Sequence, residues 1–303
     1  MPISRHELQT CMSSFLKTSP ASPPGLTEAQ QRALLTLLAD EDPQIARSVR
    51  QKILSCGMSS RAWLARNALT PDPLLRRRVR EILDEQDRQD FDNQFLAFCL
   101  NEGEQLDLEK AVWLMAQTRY PQVNPAGYSA VLDEMAGEIR PLLQTTSNPQ
   151  EQLGLINKFL FETREFKGNG QNYYDEENSY INKVIDRRVG NPIGLCVVYL
   201  LLARRLKLPI VGIGMPGHFL CRYQSPKDTY FIDAFNQGRI LSKAECVRYL
   251  LQTSHGYQES FLAPLLPRRI MLRICSNLHQ IYQRNKNLAE TDRLQRYIVV
   301  LAN

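Results

Sequence analysis

The stretch of residues 191–209 constrains the fold more than any other part of the chain. Asn191 is a favourable N-cap residue, and Pro192 suits the first helical position, where a missing N–H costs no hydrogen bond. Residues 193–203 are apolar on every side, which is typical of a helix that is buried all round. The run is too short to cross a bilayer, which takes ~20 apolar residues. The sequence therefore predicts a central helix enclosed by the rest of a domain.

Three strand-like segments follow this helix, at residues 210–215, 218–223 and 230–233. The last two are joined by a polar loop and are expected to form an antiparallel hairpin. If Arg222 pairs with Thr229, the register places His218 directly opposite Asp233 on one face of the hairpin. The pattern therefore predicts an imidazole and a carboxylate side by side.

A cysteine thiol is predicted to join this imidazole and carboxylate. Cys196 lies in the first or second turn of the central helix, where backbone N–H groups and the helix dipole favour a thiolate. Together with His218 and Asp233 it forms a candidate Cys-His-Asp triad for acyl transfer. The backbone N–H groups near Gly194 and Leu195 would then offer the oxyanion site.

Three motifs in this region resemble the transglutaminase-like superfamily, which has a papain-like arrangement. They read NSYINKVIDRRVGNPIGL, PGHFLCRY and FIDAFNQG. They give Gly-x-Cys on a helix, a histidine that opens a strand, and an aspartate fifteen residues after it. More closely, the motifs resemble the bacterial SirB-type branch, which pairs this domain with tetratricopeptide-like helices. The resemblance covers about residues 159–250.

The resemblance implies an α+β fold in which a central buried helix packs on an antiparallel sheet. It also implies that the segment around Tyr174 and Asn178 borders the cleft. These two residues, with Gly194, Leu195 and Asn236, are the predicted cleft-lining residues. From the residues alone, the segment FKGNGQNYYDEENSY is a loop whose Asn178 or Ser179 caps the next helix, because it lacks the spacing of a phosphate or calcium loop.

The resemblance also locates the nucleophile of active superfamily members. Their cysteine lies about four residues further from the Leu-x-x-Pro that ends the helix, a position that falls near Pro192 here. Cys196 comes one turn later, ~5.4 Å along the axis and on the same face. Members of the SirB-type branch often lack a nucleophile, so a degenerate active site is expected.

Two functions therefore stay open. The favoured one is a module that binds a protein or peptide through a transglutaminase-like domain with a degenerate site. The alternative is a cysteine-dependent acyl transferase or amide hydrolase that acts on a protein or peptide through Cys196, His218 and Asp233. Helical units at both ends of the chain favour the first function, and the retention of all three residue types favours the second.

The composition bears on the class of partner, the cellular compartment and the presence of a metal site. The net charge of +5 over 303 residues is mild and does not call for nucleic acid. Seven scattered cysteines without Cys-x-x-Cys spacing favour reduced thiols in a cytoplasm. The four histidines do not stand with cysteines at zinc-ligand spacing, so neither a metal nor a cofactor is expected. No apolar signal or membrane-spanning segment is expected, and the oligomeric state stays open.

The chain is predicted to contain three domains. Residues 17–25 (KTSPASPPG) form a Ser/Pro-rich lead-in, and a nine-residue pattern that begins with Asp42-Pro43 recurs thirty residues later at Asp72-Pro73. The recurrence predicts HEAT-like helical repeats over residues 1–89. The transglutaminase-like domain with its helical lead-in covers residues 90–265. A helical hairpin that resembles one tetratricopeptide-type unit covers residues 266–303.

Overall fold

A computed structural model describes residues 26–226 and 229–303, so the predicted lead-in at residues 17–25 lies outside the described residues. The chain divides into two compact units, Met1–Asp90 and Phe91–Asn303. Each unit has its own buried apolar cluster. The division into three domains stays a prediction.

The first unit is helical. It contains α1 (Glu28–Leu38), α2 (Pro43–Ser55), α3 (Arg61–Arg66) and the beginning of α4 (Pro73–Asn101). Asp42 starts α2 by accepting the N–H of Gln44 at 2.8 Å, and Asp72 starts α4 by accepting the N–H of Leu74 at 2.8 Å. The two Asp-Pro helix starts are therefore confirmed, and the HEAT-like assignment stays a prediction.

The second unit combines helices with a sheet. After the end of α4 its helices are α5 (Leu108–Arg119), α6 (Pro125–Leu143), α7 (Pro149–Asn157), α8 (Ile181–Arg187), α9 (Pro192–Leu206), α10 (Lys243–Leu251), α11 (Pro267–Arg284) and α12 (Leu288–Ala302). Two short strands, β1 (Lys167–Gly168) and β2 (Val189–Gly190), pair in parallel. The antiparallel sheet has the order β6-β5-β4-β3-β7, formed by Arg239–Leu241, Thr229–Asp233, His218–Gln224, Ile210–Met215 and Pro264–Leu265.

The predicted central helix is α9. The Oδ1 atom of Asn191 accepts the N–H of Gly194 at 2.8 Å, which satisfies one of the free donors of the first turn. Every residue from Pro192 to Ala203 is buried. The helix ends at Leu206, and Lys207 after it adopts the left-handed conformation with φ of 57°. α9 packs against α6, β3 and β4, so the prediction of a helix enclosed by its domain is confirmed.

The predicted hairpin register is wrong by two residues. The structure pairs Gln224 with Thr229 and Arg222 with Phe231, whereas Arg222 was expected opposite Thr229. Because side chains alternate with a period of two along a strand, a shift of two residues keeps the same side chains on the same face. His218 and Asp233 are therefore still on one face, as diagonal rather than direct neighbours.

The C-terminal helices α11 and α12 pack closely on each other, and α11 also contacts α5 and β3. Arg268 is buried at the start of α11 and donates to the carbonyl oxygens of Cys99 at 2.7 Å and Val300 at 2.6 Å. The predicted helical hairpin is confirmed, and its tetratricopeptide character stays a prediction. Across residues 26–226 and 229–303, no helix has both the length and the apolar character needed to cross a membrane.

Candidate functional site

His218 is the first residue of β4, and Asp233 is the last residue of β5. The Nε2 atom of His218 lies 3.0 Å from Oδ2 of Asp233. Nε2 has no hydrogen-bond partner among the described residues, so the carboxylate of Asp233 is its close polar contact. Asn236 completes the group, because its side-chain amide donates to Oδ2 of Asp233 at 2.8 Å and its backbone N–H donates to Oδ1 at 3.2 Å.

Asp233 is buried, with 6% of its surface exposed. Burial alone would raise the pKa of its carboxyl, but His218 and the two donors of Asn236 outweigh burial and lower the pKa below its usual value. The carboxylate is therefore ionised at neutral pH. It can fix the orientation of the imidazole, which is the role that an aspartate has beside a histidine in acyl-transfer sites.

Cys196 is fully buried between α9 and β4. Its Sγ donates to the carbonyl oxygen of Phe219 at 3.6 Å, and Sγ of Cys221 donates to the carbonyl oxygen of Cys196 at 3.7 Å. Burial, followed by the neighbouring Cys221, raises the pKa of the Cys196 thiol well above its usual value. In the described part of the chain, the Cys196 side chain thus contacts backbone groups, and no hydrogen bond joins it to the His218 ring.

The backbone N–H groups proposed for an oxyanion site are already used. The N–H of Gly194 donates to the side chain of Asn191, and the N–H of Leu195 donates to the carbonyl oxygen of Asn191 at 3.1 Å. Both residues are buried. A Cβ atom on Gly194 would lie 2.3 Å from the carbonyl oxygen of Asn178, so Gly194 allows the loop backbone to approach the helix start.

His218 lines two cavities, of about 890 and about 630 Å³. Tyr173, Pro192, Gly217 and His218 line both of them, and together we call them the His218 cleft. Cys196 lines neither cavity. Pro192, near the position where the resemblance to the superfamily places the nucleophile of active members, lines both.

The other predicted lining residues differ in position. Tyr174 lines the larger cavity and is half exposed, and Asn236 lines the smaller one. Asn178 is fully buried, and its side chain donates to the carbonyl oxygens of Asn172 at 2.8 Å and Tyr173 at 3.3 Å. Asn178 therefore shapes the loop that carries the two tyrosines.

The predicted cap of the next helix is wrong. The N-cap of α8 is Tyr180, which makes no capping hydrogen bond with its side chain, so neither Asn178 nor Ser179 has that role. Ser179 is buried and its hydroxyl accepts the Asn191 side-chain amide at 2.7 Å. Asn178 bonds within its own loop and Ser179 bonds to the start of α9, and a capping pattern in the sequence reveals neither contact.

Two features of the cleft were not predicted from the motifs. α11 contributes three arginines to the larger cavity, Arg269, Arg273 and Arg284. Their i, i+4 and i+15 spacing on one helix is the signal that could have indicated a shared face. Cys246 lines the smaller cavity, where burial raises the pKa of its thiol to about 11 and keeps it protonated at neutral pH. Among the residues that the structure describes, no group of three or more His, Cys, Asp or Glu side chains could hold a metal ion.

Comparison with known proteins gives the family. Residues 126–276 match the family model of the transglutaminase-like superfamily. A UPF0162 protein of Xylella fastidiosa (strain Temecula1) is 34% identical over 202 residues, which cover 64% of this chain and 69% of that protein. A UPF0162 protein of Pseudomonas aeruginosa is 29% identical over 188 residues, or 61% of this chain and 67% of that protein.

A shorter segment of the chain also matches a mouse protein. F-box only protein 21 of Mus musculus is 36% identical over 124 residues, which cover 38% of this chain and 20% of that protein. No solved structure matches the chain significantly. The chain spans about two thirds of the length of the bacterial relatives it matches. It belongs to the UPF0162 family and carries a domain of the transglutaminase-like superfamily.

Proposed function

We propose that this chain binds a protein or peptide in the His218 cleft and that its transglutaminase-like site is degenerate. One observation carries the proposal: Cys196 is fully buried against β4, while Pro192 lines both cavities beside His218. A proline side chain has no nucleophilic atom. Pro192 therefore cannot start an acyl transfer in the cavities that it lines together with His218.

The environment of Cys196 supports the same conclusion. A nucleophilic cysteine needs an accessible thiolate, which a positive neighbour or a helix N-terminus favours. Burial and the neighbouring Cys221 act in the opposite direction on Cys196, and they raise the pKa of its thiol. At neutral pH it is a protonated core residue.

His218 and Asp233 have a structural role in this proposal. Asp233 accepts both donors of Asn236 and so fixes the turn that follows β5. His218 lines both cavities and is held by Asp233. The pair therefore sets the shape of the cleft without a chemical step.

A binding module is a unit that can be used within different proteins. The match to F-box only protein 21 covers only 20% of that protein, so the shared segment is one part of a longer chain there. This supports a module that is reused in different chains. We further infer the SirB-type branch, HEAT-like and tetratricopeptide-like flanking helices, and a cytoplasmic location, which the six free cysteines of the described residues support.

Alkylation of Cys196 tests the proposal. Wild type and His218→Ala are treated with iodoacetamide over a range of pH, and the label at Cys196 is quantified by mass spectrometry, with urea-unfolded protein as the reference. We expect Cys196 to stay unlabelled in the folded protein at every pH below ~8.5 in both variants. Labelling near neutral pH that disappears in His218→Ala would show an assembled nucleophile and would overturn the proposal.

The second candidate function is thiol-dependent acyl transfer or amide hydrolysis. The close pair between His218 and Asp233 favours it, because this pair orients an imidazole for proton transfer. Cys196 would attack an amide carbonyl, His218 would take the thiol proton and return it to the leaving amine, and an amine or water would then cleave the thioester.

This alternative has its own test. Amine incorporation into a glutamine-containing peptide, and hydrolysis of the same peptide, are compared between wild type and Cys196→Ser. Equal background rates support the binding module. A wild-type rate that Cys196→Ser abolishes would establish the enzyme instead.

A further inference from the structure

One face of α11 forms a wall of the larger cavity of the His218 cleft. Arg269, Arg273 and Arg284 line that wall, together with Ser276 and Gln280 between them. The lining of this cavity by described residues contains no aspartate or glutamate. The wall is therefore positively charged and carries several hydrogen-bond donors.

The three arginines differ in how far their charge is compensated. Arg269 forms an ion pair with Glu104 at 3.4 Å, and the guanidinium of Arg284 lies 4.0 Å from the ring centre of Tyr174. Arg273 donates to the carbonyl oxygen of Met215 at 3.1 Å and has no carboxylate partner among the described residues. Arg284 also lacks a carboxylate partner there, but it contacts a ring, so Arg273 is the arginine of the wall with neither kind of partner among the described residues.

Arg273 is also partly removed from water. Burial lowers the pKa of its guanidinium, although Tyr173 and Tyr249 partly oppose this effect. A guanidinium stays charged in proteins, so its desolvation is a cost that a bound anion would offset. Its planar donors fit the two oxygens of a carboxylate.

The smaller cavity has a different charge pattern. It is lined by Asp233 and Glu245 as well as by Arg239 and Arg248, and Arg239 pairs with Glu245 at 3.0 Å. A ligand that runs through the whole cleft meets positive charge at one end and mixed charge at the other. A peptide with a local acidic segment matches this pattern, whereas the uniform charge of a phosphate backbone does not.

We propose that the His218 cleft binds an acidic peptide segment, with Arg273 paired to one of its carboxylates. The inference rests on the proposed binding function and names the chemistry of the partner. Apolar residues of the same cavity, among them Ile193 and Leu272, would contact the aliphatic parts of the peptide.

Fluorescence anisotropy with labelled hexaglutamate tests the inference. Hexalysine and a Gly-Ser peptide of the same length serve as comparison probes, and each titration is repeated at higher salt. We expect hexaglutamate to bind the full chain more tightly than either comparison probe and to weaken as salt rises. Arg273→Gln should weaken hexaglutamate binding by about tenfold or more.

Arg66→Gln is the matched control, because it removes the same charge from an exposed position on α3. Arg273→Lys is the second variant: it keeps the charge but loses the planar fork, and an intermediate affinity is expected. Thermal melting of each variant confirms that it is folded. An equal loss in Arg66→Gln and Arg273→Gln would overturn the inference, because the effect would then come from net charge alone.

Two further outcomes separate this inference from the proposed function. If the Gly-Ser peptide binds as tightly as hexaglutamate, the cleft binds peptides but the acidic preference is wrong. If oligothymidine displaces hexaglutamate at a lower concentration than unlabelled hexaglutamate does, the partner is a nucleic acid and the inference fails. The reactivity of Cys196 is measured separately, so a degenerate site can stand even when hexaglutamate does not bind.

Discussion

The Nε2 atom of His218 lies 3.0 Å from Oδ2 of Asp233, although the two residues are diagonal neighbours in the sheet. The register that pairs Cys221 with Ile232 places Asp233 one residue further along, opposite Leu220. Side chains of diagonal neighbours on one face are within reach of each other when they are long enough. The pair therefore depends on the face of the hairpin and not on direct pairing.

The first prediction concerns the stability that Asp233 provides. Its pKa is lower in the folded chain than its usual value, so its contribution is present above the unfolded pKa of ~3.9 and is lost as the pH falls through the folded value. Asp233→Asn should lower the free energy of unfolding by about 1–3 kcal/mol at pH ~7, and the difference should shrink below pH ~4.

Urea unfolding at both pH values measures this difference. Trp113 is buried in the second unit and reports its unfolding in a Trp63→Phe background. A destabilisation by Asp233→Asn that is the same at both pH values would contradict the ionised state of the carboxylate.

The second prediction concerns the close approach at the start of α9. In Gly194→Ala the new Cβ would lie 2.3 Å from the carbonyl oxygen of Asn178, and a backbone atom cannot move aside cheaply. We expect a loss of about 1–3 kcal/mol in the free energy of unfolding. Gly137→Ala is the control: it is exposed within α6 with open space around it and should gain up to ~1 kcal/mol. Similar effects of the two substitutions in urea unfolding would show that the contact has no cost.

The third prediction concerns Asn157, which supports the turn after β5. Its side chain accepts the hydroxyl of Tyr199 at 3.0 Å and donates to the carbonyl oxygen of Gly238 at 2.6 Å. Asn157→Ala leaves the buried hydroxyl of Tyr199 without this partner and should cost about 1–3 kcal/mol. Adding Tyr199→Phe to Asn157→Ala should then cost little, and thermal melting of the wild type, the two single variants and the double variant measures the coupling. Additive losses from the two substitutions would contradict the proposed contact.

The sequence was sufficient to predict α9 and the strands around it, because the signals for these elements are local. A capping asparagine, a proline at the first helical position and a run of apolar residues determine a buried helix without reference to distant residues. Alternation and turn residues likewise located β3, β4 and β5 to within one residue. The face of the hairpin was also predictable, since it depends only on the period of two.

Features that depend on distant contacts were not predictable. The exact register depends on the conformation of the loop between β4 and β5, and a residue pattern does not fix it. The role of Asn178 depends on carbonyl oxygens that its side chain reaches in the folded loop. Arg273 lines the same cavity as His218 because α11 packs on the sheet, although α11 begins more than forty residues after the end of β4.

The depth of Cys196 in the core was also not predictable from the sequence. The sequence put its side chain on the face of α9 that also carries Pro192, but one turn of helix separates the two positions. In the structure this turn separates the wall of the cleft, where Pro192 lies, from the core, where Cys196 lies. A helical pattern gives the face of a residue, and only the packed structure gives its depth.

The most direct test of the degenerate site moves the thiol to the cleft. In Pro192→Cys, the pH dependence of alkylation is measured at Cys196 and at the new thiol in the same digest, with and without His218→Ala. We expect the thiol at position 192 to react with an apparent pKa below ~8.5 that rises when His218 is removed, while Cys196 stays unlabelled in the folded protein. If Cys196 reacts with that dependence on His218 and the thiol at position 192 does not, the account of the cleft is wrong.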